Sequence, residues 1–182
     1  MIYQVQFLHE LKFVVSLKSV MKKLRIFADN LFAHEMLHLG SGIMMFIVLF
    51  KMYGQIQYGI IAFWVSLLID ADHYLESLIA NNFKFYKIFD DPPHIYWKKL
   101  GRMTLLLHSW ELLILILILG RIMSQEPLAL AIVLPAILHY SIDSFIYSGF
   151  GNMPILIYFL TYRLYYRFDI KKLCPGNTDN GN

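Results

Sequence analysis

Apolar residues in this chain gather into four long runs, at about 37–50, 57–69, 103–119 and 127–147, each closed by polar or glycine-containing stretches. Within a run the apolar positions neither alternate nor keep to one helical stripe, which predicts helices that are apolar all round. The first run has His34 and His38 at its start and Lys51 at its end, and its Gly40, Ser41 and Gly42 would let another helix approach closely. Tyr53-Gly54-Gln55 predicts a tight turn into the second run, which ends in Asp70-Ala71-Asp72-His73 and then Glu76. The third stops at Gly120-Arg121. The fourth starts at Pro127, a residue suited to a first helical turn, and carries Pro135, which should kink it.

The intervening stretches are polar and aromatic. Residues 81–101 hold Phe83, Phe85, Tyr86 and Trp97, with Pro92-Pro93 expected to stop any helix. Gly149, Gly151 and Pro154 should break the chain after the fourth run. Residues 155–168 begin apolar but fill with Tyr158, Tyr162, Arg163, Tyr165, Tyr166 and Arg167, which reads as a re-entrant or interfacial helix with an aromatic belt. At the other end, Lys18, Lys22 and Arg25 share one helical face, predicting a basic helix over 1–33 that lies on the membrane surface. Phe13 to Leu17 is too short and lacks a cleavage pattern, so a removable signal peptide is not expected; Met1 and Met21 both stand as the start.

Composition turns these helices into a membrane expectation. Hydrophobic residues make up 58% of the 182 and charged residues only 16%, with mean hydropathy +0.52, whereas a soluble domain is nearer about half apolar and a quarter charged. The expected fold class is all-α: a polytopic membrane helical bundle of about four transmembrane helices plus N- and C-terminal interfacial helices. Residues 34–168 form its transmembrane domain, after the surface helix of 1–33 and before a polar, disordered tail over 169–182. Four spans put both termini on one side. Fourteen of the sixteen Lys and Arg residues then fall on that side, with only Lys51 and Arg121 opposite. The positive-inside rule makes the terminal side cytoplasmic, for a multi-pass protein of the inner (plasma) membrane. The basic residues are read as topology determinants and contacts to membrane lipid, not as a nucleic-acid patch. Cys174 is the sole cysteine, which excludes a disulfide framework and a thiolate zinc site.

The chemistry lies with nine His and carboxylate residues. On the four-span topology, His34 and His38, Asp70, Asp72 and His73, His108 and Glu111, and His139 and Asp143 all fall at the cytoplasmic end of their helices. Their spacings agree: His34/His38 and His139/Asp143 are i, i+4, while Asp70/His73 and His108/Glu111 are i, i+3, so each pair shares a face and can chelate one ion. Asp72 points about 100° from His73 on a continuous helix, which suits an orienting or bridging role. Donors of this kind without thiolate suit a divalent metal, zinc first and Mn²⁺ or Fe²⁺ after it. Nine donors exceed what one zinc takes, so either one ion has a rich surround or two ions sit together. Glu111, Glu35 or Asp72 would then be available as a catalytic acid or base.

The order His38-x3-Gly42, Asp70-x-Asp72-His73, His108-Ser109 and His139 with Asp143 resembles the membrane-bound metal-dependent hydrolase family, inner-membrane-associated hydrolases that include a LexA-binding type. The likeness runs over roughly residues 34–147. It implies about four spans and metal-site positions at Asp70, Asp72, His73, His108 and His139, with His38 as the first-span histidine. Ile69 stands where the family usually has Pro. Met103 to Leu107 stands where a His-Arg-x-x-Thr-His-Ser segment would supply an earlier His, a loss for which Glu111 is the candidate replacement.

The functional expectation is an integral-membrane metal-dependent hydrolase with a His/Asp/Glu site at the cytoplasmic face, acting on a lipid-linked ester or phosphoester. The 81–101 connection would serve as a lid whose aromatic residues hold an acyl chain. Two alternatives stay open on sequence alone: a metal-ion transporter or binding protein, and a non-catalytic scaffold whose polar residues join helices.

Overall fold

The computed structural model describes residues 31–87, 93–147 and 155–174. The expected basic surface helix lies outside the described residues up to position 30, as do the chain break at Gly149, Gly151 and Pro154 and the part of the expected 169–182 tail beyond Cys174. The part before it departs from a disordered tail, being a short helix (Ile170–Leu173) with Ile170, Leu173 and Cys174 buried. The described residues are mostly helical, and among them the β-structure is an isolated bridge between Arg102 and Asp169. In chain order the helices are α1 (Leu31–Tyr53), α2 (Ile56–Leu68), α3 (Ala71–Ala80), α4 (Pro93–Leu100), α5 (Trp110–Ile122), α6 (Glu126–Tyr147), α7 (Leu160–Tyr165) and α8 (Ile170–Leu173).

Every apolar run contributes a helix, but the lengths differ. The stretches His34–Tyr53 and Glu126–Ser144 of α1 and α6 are long and apolar enough to cross a membrane. Helices α2 and α5 have 13 residues each, about 20 Å at 1.5 Å per residue, against the ~30 Å of a hydrocarbon core. Two described helices therefore meet the length for a span, rather than the four expected.

Helices α1 and α2 form a hairpin turned at Gly54 (φ +67°). Their close approach falls on glycine: a Cβ on Gly59 would lie 2.9 Å from Phe46, and one on Gly42 3.2 Å from the Ser66 Cβ. Of the small residues expected to admit a neighbour, Gly42 does so while Gly40 faces open space. A second hairpin joins α5 to α6, and a Cβ on Gly120 would come 2.3 Å from that of Ala129. Helix α6 is central, packing on α1, α2 and α5. Met45, Leu49, Ala62 and Ala131 fill the α1–α2–α6 interior, and Ile69, Leu113, Val133, Ala136 and Tyr140 the α2–α5–α6 interior. The outward faces are also apolar: Ile43 and Ile47, Ile60 and Trp64, and Ile114 and Ile118 are exposed.

The third run departs from expectation. Helix α5 begins only at Trp110, and residues 101–109 cross the end of the bundle without helix. Their backbone groups are claimed by other elements. Met103 N–H donates to the Phe168 carbonyl, Thr104 N–H to Glu76, Leu107 N–H to Asp72, and Ser109 N–H to the Tyr140 hydroxyl. The Leu105 and His108 carbonyls accept from the Arg163 guanidinium, and the Leu107 carbonyl from Tyr140. A segment whose donors and acceptors are met from outside does not need a helix to satisfy them.

Tyr96, Trp97, Met103, Leu105, Ile157, Tyr158 and Leu173 form a second apolar cluster that caps this end. The expected aromatic belt is divided by it: Tyr158 is buried and stacks on Tyr140, Arg163 is fully buried, and Tyr165 faces outward. Pro93 opens α4 as a first-turn residue, and the stretch just before it, where the double proline is expected to stop a helix, lies outside the described residues. Trp97 is buried with its indole N–H on Glu76, whereas Phe83, Phe85 and Tyr86 are exposed.

Candidate metal centre

Seven of the nine expected donors meet at the capped end of the bundle. His34 and His38 come from adjacent turns of α1, and His139 and Asp143 from adjacent turns of α6. Asp70 sits in the two-residue break between α2 and α3, His73 on the first turn of α3, and His108 in the non-helical segment before α5. Except for His73, which is half-buried, all are buried. The helix lengths explain the shared depth. Asp70, His108 and His139 each lie 13 or 14 residues from the far ends of their helices, about 20 Å. Helices α2 and α5 stop where the cluster begins.

The side-chain tips converge closely. His108 Nε2 and His139 Nε2 are 3.3 Å apart; Asp70 Oδ1 lies 3.2 Å from His139 Nε2 and 3.5 Å from His108 Nε2; and Asp143 Oδ2 lies 3.4 and 3.5 Å from the same two nitrogens. Metal–ligand bonds of about 2.0–2.2 Å at tetrahedral angles set ligand atoms about 3.3–3.5 Å apart. The observed separations match. His73 Nε2 is further out, 3.9 Å from Asp70 Oδ1.

The opposite ring edges determine which nitrogen faces the cluster. His139 Nδ1 lies 3.2 Å from the Ser66 carbonyl, which can only accept, so Nδ1 carries a proton and Nε2 is the nitrogen that faces the cluster. His108 Nδ1 lies 3.1 and 3.2 Å from the two Asp72 oxygens, with the same consequence. The two Nε2 atoms thus lie 3.3 Å apart and within 3.5 Å of one oxygen each from Asp70 and Asp143. As acceptors these atoms repel one another unless a cation or a proton lies among them. One further oxygen, Asp70 Oδ2, is buried without a hydrogen bond.

The electrostatics of the groups between the long helices agree. Burial pushes the Asp70 carboxyl up, but His139 and His108 hold it well below the usual carboxylate range. Asp72 is lowered against its own burial by His108 and the Leu107 N–H. Burial disfavours the charged form of His108, yet Asp143, Asp70 and Asp72 together hold its pKa well above the ordinary imidazole value. The carboxylates demand positive charge at their centre, which a proton on His108 or a divalent cation supplies.

The remaining expected residues stand aside. Asp72 orients His108 from behind, the carboxylate–histidine arrangement typical of metal sites. Glu111 does not share a helical face with His108, because the helix starts between them. It accepts from the Leu160 and Thr161 N–H groups and from the Ser109 and Thr161 hydroxyls, capping α7. Glu35 pairs with Tyr74. Three supporting residues have no signal in the linear pattern. Tyr96 places its hydroxyl 2.6 Å from His73 Nδ1; Tyr140 and Arg163 hold the backbone that presents His108. An arginine among tyrosines near a bilayer reads as a belt residue, and only its complete burial on two carbonyls marks it as structural.

An apolar cavity of about 400 Å³ opens between α2 and α5 over α6, lined by Ile60, Trp64, Leu68, Ile69, Leu107 and Leu113 among others. Two of its lining residues, Ile69 and Leu107, are the chain neighbours of Asp70 and His108. Comparison with family models, with curated proteins and with solved structures returned no match.

Proposed function

We propose that this chain is an integral-membrane, metal-dependent hydrolase whose site opens at the cytoplasmic end of the bundle and acts on a lipid-linked ester or phosphoester. The observation that carries it is the convergence of His108 Nε2 and His139 Nε2 with Asp70 Oδ1 and Asp143 Oδ2, at separations of 3.2–3.5 Å from the nitrogens. These four would hold the ion, with zinc the best match to a His/Asp set without thiolate. When bound, such an ion polarises the scissile oxygen and lowers the pKa of a water. The protein's own part is orientation and proton handling. Asp72 and Ser66 fix the two imidazoles, and His73, at the rim with Tyr96 behind it, is placed to pass a proton to the leaving group.

Membrane placement rests on α1 and α6 and on the apolar outward faces of all four long helices. In this reading α2 and α5 complete a four-helix bundle whose short members leave the site below the surface. The apolar cavity, lined in part by the chain neighbours of Asp70 and His108, supports a substrate with a hydrocarbon tail. Ion transport has less support, because the bundle interior away from the cluster is lined by Met45, Leu49, Ala62 and Ala131.

The test is elemental analysis of detergent-purified wild type, Asp70→Ala and His139→Ala, with turnover measured on long-chain lipid esters and phosphoesters and on short soluble analogues. Metal in the wild type, loss in both variants and metal-dependent turnover are expected. A metal-free wild type, or metal retained by both variants, refutes the site. Metal without hydrolysis of any panel member refutes the reaction class. A reporter fused after Cys174 that reads as non-cytoplasmic refutes the orientation.

A further inference from the structure

The cluster holds more donors than one ion uses, and they divide into two groups. Beyond the four atoms around His108 and His139 lies a second triangle: His34 Nε2 and His38 Nε2 are 2.9 Å apart, and Asp143 Oδ1 lies 3.5 and 3.2 Å from them. Asp143 therefore presents one oxygen to each group, Oδ2 to His108 and His139 and Oδ1 to His34 and His38. Asp70 also lies between the two groups. Its Oδ1 faces the first group, its Oδ2 is buried without a hydrogen bond, and it lies within ligand reach of both His34 and His38. The rings of His38 and His139 stack at 3.7 Å, which brings the two groups side by side.

We propose that the site is a two-ion centre, with Asp143 and Asp70 bridging one ion held by His108 and His139 and a second held by His34 and His38. This inference rests on the metal-dependent reading above and adds to it the number of ions and their division. A single tetrahedral ion leaves the α1 histidines facing a carboxylate oxygen with no cation between. Two ions use both oxygens of each bridging carboxylate. Paired ions about 3.5–4 Å apart clamp both the attacking and the leaving oxygen of a displacement, which favours a phosphoester over a carboxylic ester as the substrate class.

Counting ions tests this without reference to turnover. Protein purified in detergent is loaded with Zn²⁺, freed of excess by gel filtration and analysed for metal per chain. Two ions are expected for the wild type and one for His34→Gln/His38→Gln. One ion in the wild type overturns the two-ion centre and leaves the metal-dependent reading intact, whereas none overturns both. Two ions retained by the double variant also overturn it. Far-UV circular dichroism and the thermal melt establish that the variant is folded. A measurement on wild type alone covers a variant that is not: at saturation with Mn²⁺, the bridged ions should give an exchange-coupled paramagnetic resonance spectrum. The hyperfine pattern of isolated ions at saturation would overturn the bridge.

Discussion

Asp72 is the residue on which ligand and orienting roles separate most cleanly. Its Oδ2 accepts the Leu107 N–H at 2.9 Å, and His108 Nδ1 lies 3.1 Å from Oδ1 and 3.2 Å from Oδ2, so both donors face the carboxylate. Asp72→Asn keeps the shape but replaces one oxygen with an amino group. Whichever way the amide turns, its NH2 group faces an N–H donor, and the carboxylate charge that strengthens the hydrogen bond to His108 is lost. Such a bond contributes about 1.5–3 kcal/mol. Most of that loss should fall on the orientation and basicity of His108, so metal affinity should drop about 10–100-fold, the range seen when a ligand's outer partner is removed. The assay is competition of Zn²⁺ against a chromophoric chelator at fixed pH, on detergent-purified wild type, Asp72→Asn and Asp70→Asn. Asp70→Asn, a direct ligand in this account, should lose substantially more. An Asp72→Asn affinity within about twofold of wild type would remove the orienting role. An affinity as poor as that of Asp70→Asn would make Asp72 a ligand, and the description of the centre would have to change.

Glu111→Gln should keep its metal but melt at lower temperature, because Glu111 receives four hydrogen bonds at the α5–α7 junction; losing charge and one acceptor there should cost about 1–3 kcal/mol. Unchanged stability with abolished turnover would instead return Glu111 to the chemistry. Zn²⁺ affinity should rise with pH. The carboxylates hold His108 protonated above the ordinary imidazole range, and the ion must displace that proton, so affinity falls as pH falls. Calorimetry in buffers of different ionisation enthalpy reads the released proton, and pH-independent binding without proton release would contradict it. Gly120→Ala should destabilise the α5–α6 hairpin by about 1–3 kcal/mol, because its Cβ would sit 2.3 Å from that of Ala129, whereas Gly40→Ala meets nothing within 4 Å. Equal melting temperatures for the two variants would refute this packing.

Much of the architecture follows from the linear pattern. Uninterrupted apolar runs must bury their backbone polar groups in helices, and four runs produced the four longest apolar helices. His34 with His38 and His139 with Asp143 were legible as pairs because helical spacing alone places i and i+4 together. Their common depth followed from counting residues along helices of opposite direction. Asp70 and His73 were legible for the same reason, since the break between α2 and α3 barely disturbs the helical course.

What the tertiary structure decided lies mostly where a segment's partners are distant in sequence. Met103 to Leu107 reads as the start of a helix because it is apolar. It is not helical because Glu76, Asp72, Tyr140, Phe168 and Arg163 satisfy its backbone. That displacement moves His108 off the helical face it would have shared with Glu111, and it gives Asp72 to His108 and Glu111 to α7. The division of Asp143 between two pairs of histidines is likewise invisible in spacing, because it depends on which oxygen faces which helix. Periodicity specifies which side chains share a face. Only the packing of one face on another specifies which atoms meet.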